Sequence, residues 1–484
     1  MGAGQSDQDR PIIVWFRRDL RLADNPALHK AAASGAYVIP LYILDETEGL
    51  RAPGAASLWW LDKSLKALAT ELQARGSRLI LRRGPAADVV HVLAKETEAA
   101  AIYWNRLYAP TSVERDAALK SSLTAAGLDV RSFNASLLLE PWEVKNKSGE
   151  PFKVFTPYWR EARTRLPEIA LQPAPEALEP PQAWPRSDRL DAWELQPKAP
   201  DWSIGFSDWT PGEAGAREQL KAFIEDGLET YGLDRERPDR GGTSRLSPHL
   251  HFGEIGPRQV LNAAMTAAHQ EPRKASGAEK FASELGWREF SYSLLFHTRD
   301  LAQENIKPAF DRFPWRRDDE ALESWKRGRT GYPMVDAGMR QLWTTGWMHN
   351  RVRMVVASFL IKHLLLDWRE GETWFWDTLV DADPANNAAS WQWVAGAGAD
   401  AQPFFRIYNP MEQGRKFDPD GAYVRRWVPE LAKLPTEHLH EPWSAPPEIL
   451  ARAGVRLGDT YPKPIVDHRI ARERALAALK TMTN

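Results

Sequence analysis

Short hydrophobic runs alternate with helical patterns through the first third of this 484-residue chain. Runs rich in β-branched and aromatic residues begin at Ile12, Tyr37, Arg78, Ala100 and Asp129, and patterns such as SLWWLDKSLKALATELQARG separate them. This alternation predicts a parallel, doubly wound α/β sheet. Ligands of such sheets bind beyond the carboxyl ends of the strands. Here those ends carry RRD, LDE and WNR instead of glycines, so a dinucleotide fingerprint is absent.

The alternation stops before residue 140, and a proline-rich stretch follows. Eight prolines lie between Gln172 and Pro211, with little periodicity, which is typical of a long linker. Beyond Pro211 nearly all of the chain has a helical pattern. We therefore expect an α/β domain over residues 10–138, a linker over 139–212 and an all-helical domain over 213–484.

The composition excludes several kinds of site. The chain has no cysteine, so disulfides, thiolate nucleophiles and cysteine-held metal clusters are excluded. The net charge of −2 means that any nucleic-acid site must be a local basic patch. The start MGAGQSDQDRPIIVWF lacks a basic segment followed by an apolar one, and no apolar run reaches the length of a membrane span. We expect a cytoplasmic enzyme.

Tryptophan is unusually frequent, and ten of the 22 tryptophans lie between Trp287 and Trp393. The stretch DADPANNAASWQW, which begins at Asp381, shows the clustering best. Asp383 followed by proline predicts a helix start, and on that interpretation the tryptophans beyond it only fill the core. The stretch also places Asn387 and Trp391 one turn apart on one face, while Trp393 points nearly the opposite way.

The stretch GGTSRLSPHLHFGEI, from Gly241, gathers groups that suit a phosphate. Its glycines free the backbone, and the hydroxyls of Thr243, Ser244 and Ser247 follow. Alone the pattern is weak, because such a helix start is more often a simple cap. His249 and His251 in the same stretch have no third ligand at useful spacing, so we expect no metal site.

Two helical stretches, SELGWREF and MHNRVRMVVASFL, each place apolar and polar side chains on one face. The residues are Glu284, Trp287 and Arg288 in the first, and Asn350, Arg353 and Met354 in the second. A face that packs in a core would be uniformly apolar. The mixed faces therefore predict a pocket.

These motifs resemble those of the DNA photolyase and cryptochrome flavoproteins. The resemblance runs from WFRRDLRLADNPAL through GGTSRLSPHLHFGEI, ELGWREF, GWMHNRVRMVVASFL and DWREGE to FFRIYNPMEQGRKFDPDGAYVRRWVPEL and YPKPIVDH, all in the same order as in the family. It implies an α/β antenna domain, a long linker and a helical domain that binds FAD in a U shape.

The resemblance also implies which residues hold FAD. Arg353 and Asp381 correspond to an ion pair beneath the isoalloxazine, and Asn387 to the amide that faces its reactive nitrogen. The chain has Ala382 where the family usually has glycine, a small departure. The full set of expected FAD contacts is Tyr231, Thr243, Ser244, Leu246, Ser247, Arg288, Asn350, Arg353, Asp381, Asp383 and Asn387.

Three tryptophans resemble the family's electron relay to the flavin. Trp391 corresponds to its first member, followed by Trp368 and Trp315. Indole is the most easily oxidised side chain in this chain, so such rings can reduce the photoexcited flavin. Trp343, Trp374 and Trp376 are candidates for a second route, although core packing is the better interpretation for them.

The remaining aromatic residues resemble a pocket for a flipped-out pyrimidine dimer. Trp287 and Trp393 correspond to its stacking walls, and Glu284 and Asn350 to hydrogen-bonding groups that face the lesion. Family members that repair (6-4) photoproducts carry histidines at the positions of Asn350 and Met354, so the resemblance implies cyclobutane dimers. Candidate phosphate contacts around the cavity are Arg351, Arg406 and Lys416.

The function implied is light-driven repair of UV-damaged DNA by a monomer, near the bacterial nucleoid. Reduced anionic FAD passes one electron to the dimer, the cyclobutane bonds open, and the electron returns. The alternative is a blue-light sensor of the cryptochrome type, but plant cryptochromes usually carry aspartate at the position of Asn387. A flavoprotein of another role would leave the dimer pocket unexplained.

The motif YWNRLYAP resembles the cryptochrome side of the family, which suggests the class III bacterial photolyases. That resemblance implies methenyltetrahydrofolate as antenna pigment, with a deazaflavin as the alternative. The expected antenna site lies at the strand ends, at Phe16, Arg17, Asp45, Glu46, Asn105 and Arg106.

Overall fold

The structure is a computed structural model that describes residues 10–483. Most of the segment on which the expectation of no signal peptide depends, residues 1–9, lies outside the described residues. Among the helices of residues 10–483, none combines the length and the apolar character needed to cross a membrane.

Five parallel strands form one sheet in the order β3-β2-β1-β4-β5. The strands are β1 (Ile12–Phe16), β2 (Val38–Asp45), β3 (Ile80–Gly84), β4 (Ala101–Asn105) and β5 (Asp129–Phe133). All of β1 is buried, because it lies at the centre of the sheet with helices on both faces. The predicted doubly wound sheet is confirmed, with each strand at the expected run.

Over residues 213–483 the regular secondary structure is helical, apart from one isolated β-bridge between Leu457 and Tyr461. The predicted helical second half is therefore confirmed. The helices are α1 (Pro26–Ala32), α2 (Ala55–Gln73), α3 (Ala86–Glu96), α4 (Pro110–Ala125), α5 (Phe155–Arg165), α6 (Glu213–Ala222), α7 (Tyr231–Asp234), α8 (Ser247–Phe252), α9 (Pro257–Gln270), α10 (Ala275–His297), α11 (Asp319–Lys326), α12 (Pro333–Thr345), α13 (Asn350–Ser358), α14 (Trp368–Thr378), α15 (Asn386–Ala395), α16 (Pro410–Phe417), α17 (Ala422–Trp427), α18 (Thr436–Leu439), α19 (Pro447–Ala453) and α20 (His468–Thr483).

The segment expected to be a linker contains one α-helix, α5, and two short 3-10 helices, Leu190–Trp193 and Ile204–Phe206. The buried α5 residues Phe155, Tyr158, Trp159 and Ala162 are spaced at i, i+3, i+4 and i+7, the pattern of a helix that packs on one face. The stretch FTPYWREARTR was short enough to be overlooked among prolines. Gly286 of α10 allows the close approach, because a Cβ at that position would collide with the Trp159 ring. The segment therefore packs onto the helical domain.

The sheet and the helical domain share a hydrophobic core. Phe206, Phe252 and Val380 pack in the same buried cluster as β1 and α2. A buried hydrogen bond from Trp60 Nε1 to Glu254 Oε1, 2.9 Å long, joins the two regions as well. These contacts fix the sheet against the helices that surround a cavity of about 660 Å³.

Candidate active site

A cavity of about 660 Å³ opens between α7, α8, α10, α13 and α15. Its volume lies in the range of sites that enclose a cofactor or a drug-sized ligand, roughly 300–1,000 Å³. Fifteen of the residues singled out from the sequence line it, from both helical stretches and from DADPANNAASWQW. They are Tyr231, Ser244, Ser247, Glu284, Trp287, Arg288, Asn350, Arg351, Arg353, Met354, Asp381, Asp383, Asn387, Trp391 and Trp393.

The loop before α8 presents Ser244 and Ser247 to the cavity in a fixed conformation. Gln219 Nε2 donates to the Ser244 carbonyl oxygen at 3.0 Å. Arg245 has a positive φ of 51°, and its guanidinium lies 4.1 Å from the centre of the Trp209 ring. Such a φ is rare for a residue with a side chain, so surrounding contacts must hold it. Thr243 is half-buried beside them, and Leu246 is buried in the neighbouring core.

Arg353 and Asp381 form the expected ion pair at 2.8 Å. The second carboxylate oxygen of Asp381, Oδ1, is buried and has no hydrogen-bond partner within the described chain. An unpaired buried acceptor is costly, so it marks a place where a bound group with a donor fits. Ala382, the departure from the family pattern, is buried in the hydrophobic core of the helical domain.

Asp383 holds the start of α15 and contacts α10, and its contact with FAD stays a prediction. Its Oδ1 accepts from the backbone amides of Ala385 and Asn386 at 3.0 and 2.8 Å, so it caps α15, which begins two residues later than Pro384. Its Oδ2 accepts from the Tyr292 hydroxyl at 2.6 Å. Burial alone would raise the pKa of Asp383, but the hydrogen bond and charge of His251 hold it below its usual range. The cavity therefore contains a fixed negative charge.

Asn387 and Trp391 lie on the same wall, as their spacing predicts, and both are nearly buried. Trp391 contacts Phe375 edge-on at 5.0 Å and Trp325 at 6.2 Å between ring centres. Trp368 belongs to the same hydrophobic core, and Trp315 packs against it. The structure places the three expected relay rings in one core, although their order of electron transfer stays a prediction.

Trp287 and Trp393 both line the cavity, and each is half-buried. Trp287 stacks on Phe155 of α5 with ring centres 3.8 Å apart and planes 10° apart. One face of the indole is thus covered, which leaves the other face available to a ligand. Glu284 pairs with Arg235 and, at 3.0 Å, with Lys280.

The expected phosphate contacts occupy different environments. Arg351 Nε donates to Glu236 at 2.6 Å, and its guanidinium lies 4.5 Å from the Phe417 ring. Arg406 and Lys416 are exposed. The Arg406 carbonyl oxygen accepts from the buried Lys362 Nζ at 3.0 Å, which fixes the backbone of that loop. Burial lowers the pKa of Lys362 to about 7.

The antenna candidates at the strand ends contact other side chains of the protein, and the pigment site there stays a prediction. Phe16 is buried in the core, and the polar groups of its neighbours are paired within the protein. The pairs are Arg17 with Asp116, Asn105 with Asp19, Asp45 with Arg115, Glu46 with Arg83 and Arg106 with Glu140. Each charged candidate is thus paired with an opposite charge elsewhere in the chain.

The two histidines of GGTSRLSPHLHFGEI have separate partners. His249 pairs with Glu254, and His251 lies 3.5 Å from Asp383. Within residues 10–483 no group of three or more metal-ligating side chains lies together. Burial lowers the pKa of His251.

Several residues of the site were not found from the sequence. Phe155 stacks on Trp287, Tyr292 binds Asp383, and the buried carboxylate of Glu372 accepts from the Asn387 amide at 2.9 Å. Glu289 is another buried carboxylate, and it joins α10 to the chain after the sheet. It accepts from the backbone amide of Leu138 at 2.8 Å. The sequence signals for them were the helical spacing of FTPYWREARTR and the motifs DWREGE and ELGWREF, which contain Glu372 and Glu289.

Glu289 predicts a pH dependence of stability. Burial raises its pKa to about 7 in the folded state, against an unfolded value of about 4.3. The folded protein then holds an extra proton between these values. The stability contributed by this proton is fully present below pH about 4.3 and is lost as pH rises through about 7, by at most about 4 kcal/mol.

Relative to Glu289→Gln, wild type should therefore lose free energy of unfolding between pH 5 and pH 8. Glutamine keeps an oxygen that accepts from Leu138. Urea unfolding of both proteins at the two pH values measures the difference. Parallel pH profiles would contradict a raised pKa at Glu289.

Two family models match the chain: "DNA photolyase" over residues 12–181 and "FAD binding domain of DNA photolyase" over residues 281–481. A deoxyribodipyrimidine photo-lyase of Agrobacterium fabrum is 53% identical over 97% of each chain. Cryptochrome-2 of Arabidopsis thaliana is 40% identical over 97% of this chain and 79% of its own. The crystal structure of a bacterial class III photolyase from Agrobacterium tumefaciens superposes with a TM-score of 0.96, at 51% identity and over all of both chains.

The matched models and the whole-length relatives agree with the motifs, the sheet order and the cavity. The FAD-binding model covers α13, which contains Arg353, and α15, which contains Asn387. It also covers Asp381, which lies between α14 and α15. The FAD-binding model supports FAD as the cofactor of this protein. The chain belongs to the DNA photolyase family.

Proposed function

We propose that this protein repairs cyclobutane pyrimidine dimers in DNA in a light-driven reaction. The observation that carries the proposal is the aromatic pocket. Trp287 is covered on one face by Phe155 and open on the other, and it shares the cavity with Trp393, Glu284 and Asn350. FAD, when bound and reduced, supplies the photoexcited electron.

The residues of the cavity do the positioning. The loop at Ser244 and Ser247 would hold the phosphates of FAD, and Asp381 Oδ1 would accept from the isoalloxazine. The tryptophan walls would stack on the flipped dimer and exclude water, which offsets the cost of extruding it from the helix. Arg351 and Arg406 would contact phosphates beside the cavity. Because one chain supplies all of these groups, a monomer suffices.

The antenna pigment is proposed to be methenyltetrahydrofolate, with a deazaflavin as the alternative. The proposed site is the strand ends around Arg17, Asp45 and Asn105, whose side chains contact other residues of the chain. A neighbouring structure, the archaeal photolyase from Sulfolobus tokodaii, contains two FAD molecules; it has a TM-score of 0.80 at 30% identity. An absorption spectrum of the purified protein distinguishes the three pigments.

Trp287→Ala tests the pocket. We expect binding to an oligonucleotide with one thymine dimer to weaken by about 1–3 kcal/mol, the range for loss of one stacking platform. Fluorescence anisotropy in the dark measures this affinity, and the undamaged oligonucleotide is the reference. Flavin content should not change.

Trp142→Ala is the matched control, since this indole is 41% exposed and does not line the cavity. It should bind damaged DNA as wild type does. Equal affinity of the Trp287→Ala variant and wild type would remove Trp287 from the pocket. If wild type itself did not prefer damaged DNA, the light-sensor function of the Cryptochrome-2 relative would be favoured.

A further inference from the structure

A loop from the sheet domain, residues 51–55, is fastened to α14 of the helical domain. Trp376 Nε1 donates to the Ala52 carbonyl oxygen at 2.9 Å. The Ala55 amide donates to Asp377 Oδ1, also at 2.9 Å. Between them, a Cβ on Gly54 would collide with the Trp376 carbonyl oxygen, so only glycine permits this approach. The loop therefore has a fixed position.

Arg51 in this loop reaches a carboxylate of the helical domain. Its two terminal nitrogens donate to the two carboxylate oxygens of Glu372 at 2.7 and 2.8 Å. The guanidinium also lies 4.2 Å from the centre of the Trp376 ring. The Glu372 side chain is 1% exposed, so its charge needs a partner, and the bidentate contact with Arg51 supplies one.

Glu372 in turn holds the amide of Asn387. The Asn387 Nδ2 donates to Glu372 Oε1 at 2.9 Å and to the Glu372 carbonyl oxygen at 3.0 Å. An amide nitrogen carries two hydrogens, and both are used. The group that Asn387 can present to the cavity is therefore its carbonyl oxygen, an acceptor.

We propose that Arg51 is a positioning residue for the flavin-facing amide: it holds the Glu372 carboxylate in place, and that carboxylate fixes Asn387 with its carbonyl toward the cavity. This inference rests on the proposed function, in which Asn387 faces the reactive nitrogen of FAD. An acceptor there stabilises every form of the ring that carries hydrogen on that nitrogen. A residue of the sheet domain would then tune the flavin chemistry of the helical domain.

Loss of Arg51 should reverse the orientation of the Asn387 side-chain amide. A buried carboxylate without its counter-charge takes up a proton from solvent, and Glu372 then becomes a donor. The Asn387 amide rotates so that its oxygen accepts from Glu372 and its nitrogen faces the cavity. A donor in that place stabilises a ring nitrogen that has no hydrogen.

The test is Arg51→Gln in the FAD-loaded protein, illuminated without oxygen in the presence of a thiol. Absorption spectra separate the flavin radical with a proton on the ring nitrogen from the radical without one. We expect the ratio to shift toward the unprotonated radical by about tenfold, the effect of exchanging one hydrogen bond. Arg51→Lys should partly restore the ratio, and Arg83→Gln, which breaks an exposed pair with Glu46, should leave it unchanged.

Infrared spectra give a second measure that does not depend on repair. Arg51→Gln should show the carbonyl band of a protonated carboxyl group, and Arg51→Gln/Glu372→Gln should lack it. A wild-type radical ratio without the new band would overturn the role of Arg51. If Arg51→Gln does not fold, Glu372→Gln decides: the same shift supports the proposal, and a wild-type ratio overturns it.

Failure of the proposed function would look different. If wild type bound no FAD, or if Asn387→Ala left the flavin spectrum unchanged, the flavin-facing role of Asn387 would be wrong, and this inference with it. A normal effect of Asn387→Ala together with a wild-type spectrum of Arg51→Gln would contradict this inference alone.

Discussion

Trp391→Phe is expected to abolish photoreduction of oxidised flavin and to spare repair by protein that has been reduced chemically beforehand. Trp391 lines the cavity one helical turn from Asn387 and is 2% exposed, so it is placed to donate an electron to the flavin and not to hold the lesion. Phenylalanine keeps an aromatic ring in the core but is much harder to oxidise. Loss of flavin absorption under blue light with thiol measures photoreduction, and dimer repair after dithionite treatment measures the rest.

The contacts of Trp391 indicate that the Trp391→Phe variant should keep its fold. Its ring lies against Gly371, where a Cβ would collide with it, so the smaller ring should be tolerated. Flavin content confirms that the site is intact. Normal photoreduction in the variant would show that another route dominates, with Trp376 the first suspect. Trp376→Phe alone should then abolish it.

The fold could be predicted from the sequence because its determinants are local. Each strand is a short run such as IIVWF, and β1 is buried along its whole length. Helix α2 follows the SLWWLDKSLKALATELQARG pattern closely. Helix α5 was missed since its few buried residues lie in a proline-rich segment, where loop signals dominate local pattern.

The walls of the site were predicted by the family motifs, but the residues behind them were not. Arg51 and Glu372 meet across 321 positions, and no spacing rule relates residues so far apart. Phe155 and Trp287 likewise belong to separate elements. Local patterns specify which face of a helix carries function. They do not specify which distant side chain holds that face in position.

The antenna site stays a prediction at the level of residues, because the structure shows only how its candidate residues contact the rest of the chain. The rule that ligands bind at strand ends gives a location, and the charged residues there suggested a site. In the structure, Arg17 pairs with Asp116 and Asp45 pairs with Arg115. Both partners lie on helix α4. Clustered charges of both signs are as compatible with mutual pairing as with a ligand.

Asn387→Asp has the other large expected effect, because the structure gives position 387 an acidic neighbour. Wild-type Asn387 donates to Glu372 Oε1 at 2.9 Å, and an aspartate would place two carboxylates at that contact. Two carboxylates so close cannot both ionise easily, so they would share a proton. The variant would thus lose a donor and gain either a second charge or an acid beside the flavin nitrogen.

Both outcomes oppose full reduction of the flavin. If both carboxylates stay charged, a unit charge about 4 Å from the flavin opposes an added electron by roughly 4 kcal/mol at an effective dielectric of about 20. If they share a proton, that proton can pass to the flavin after the first electron, and the charge left behind opposes the second. Under blue light with excess thiol, the variant should therefore stop short of the fully reduced form that wild type reaches. Gln270→Glu, at the exposed end of α9 and outside the cavity, is the control for added charge and should reach full reduction. Spectra recorded during illumination decide the matter: complete reduction of Asn387→Asp at the wild-type rate would mean that position 387 is not the neighbour of the flavin nitrogen.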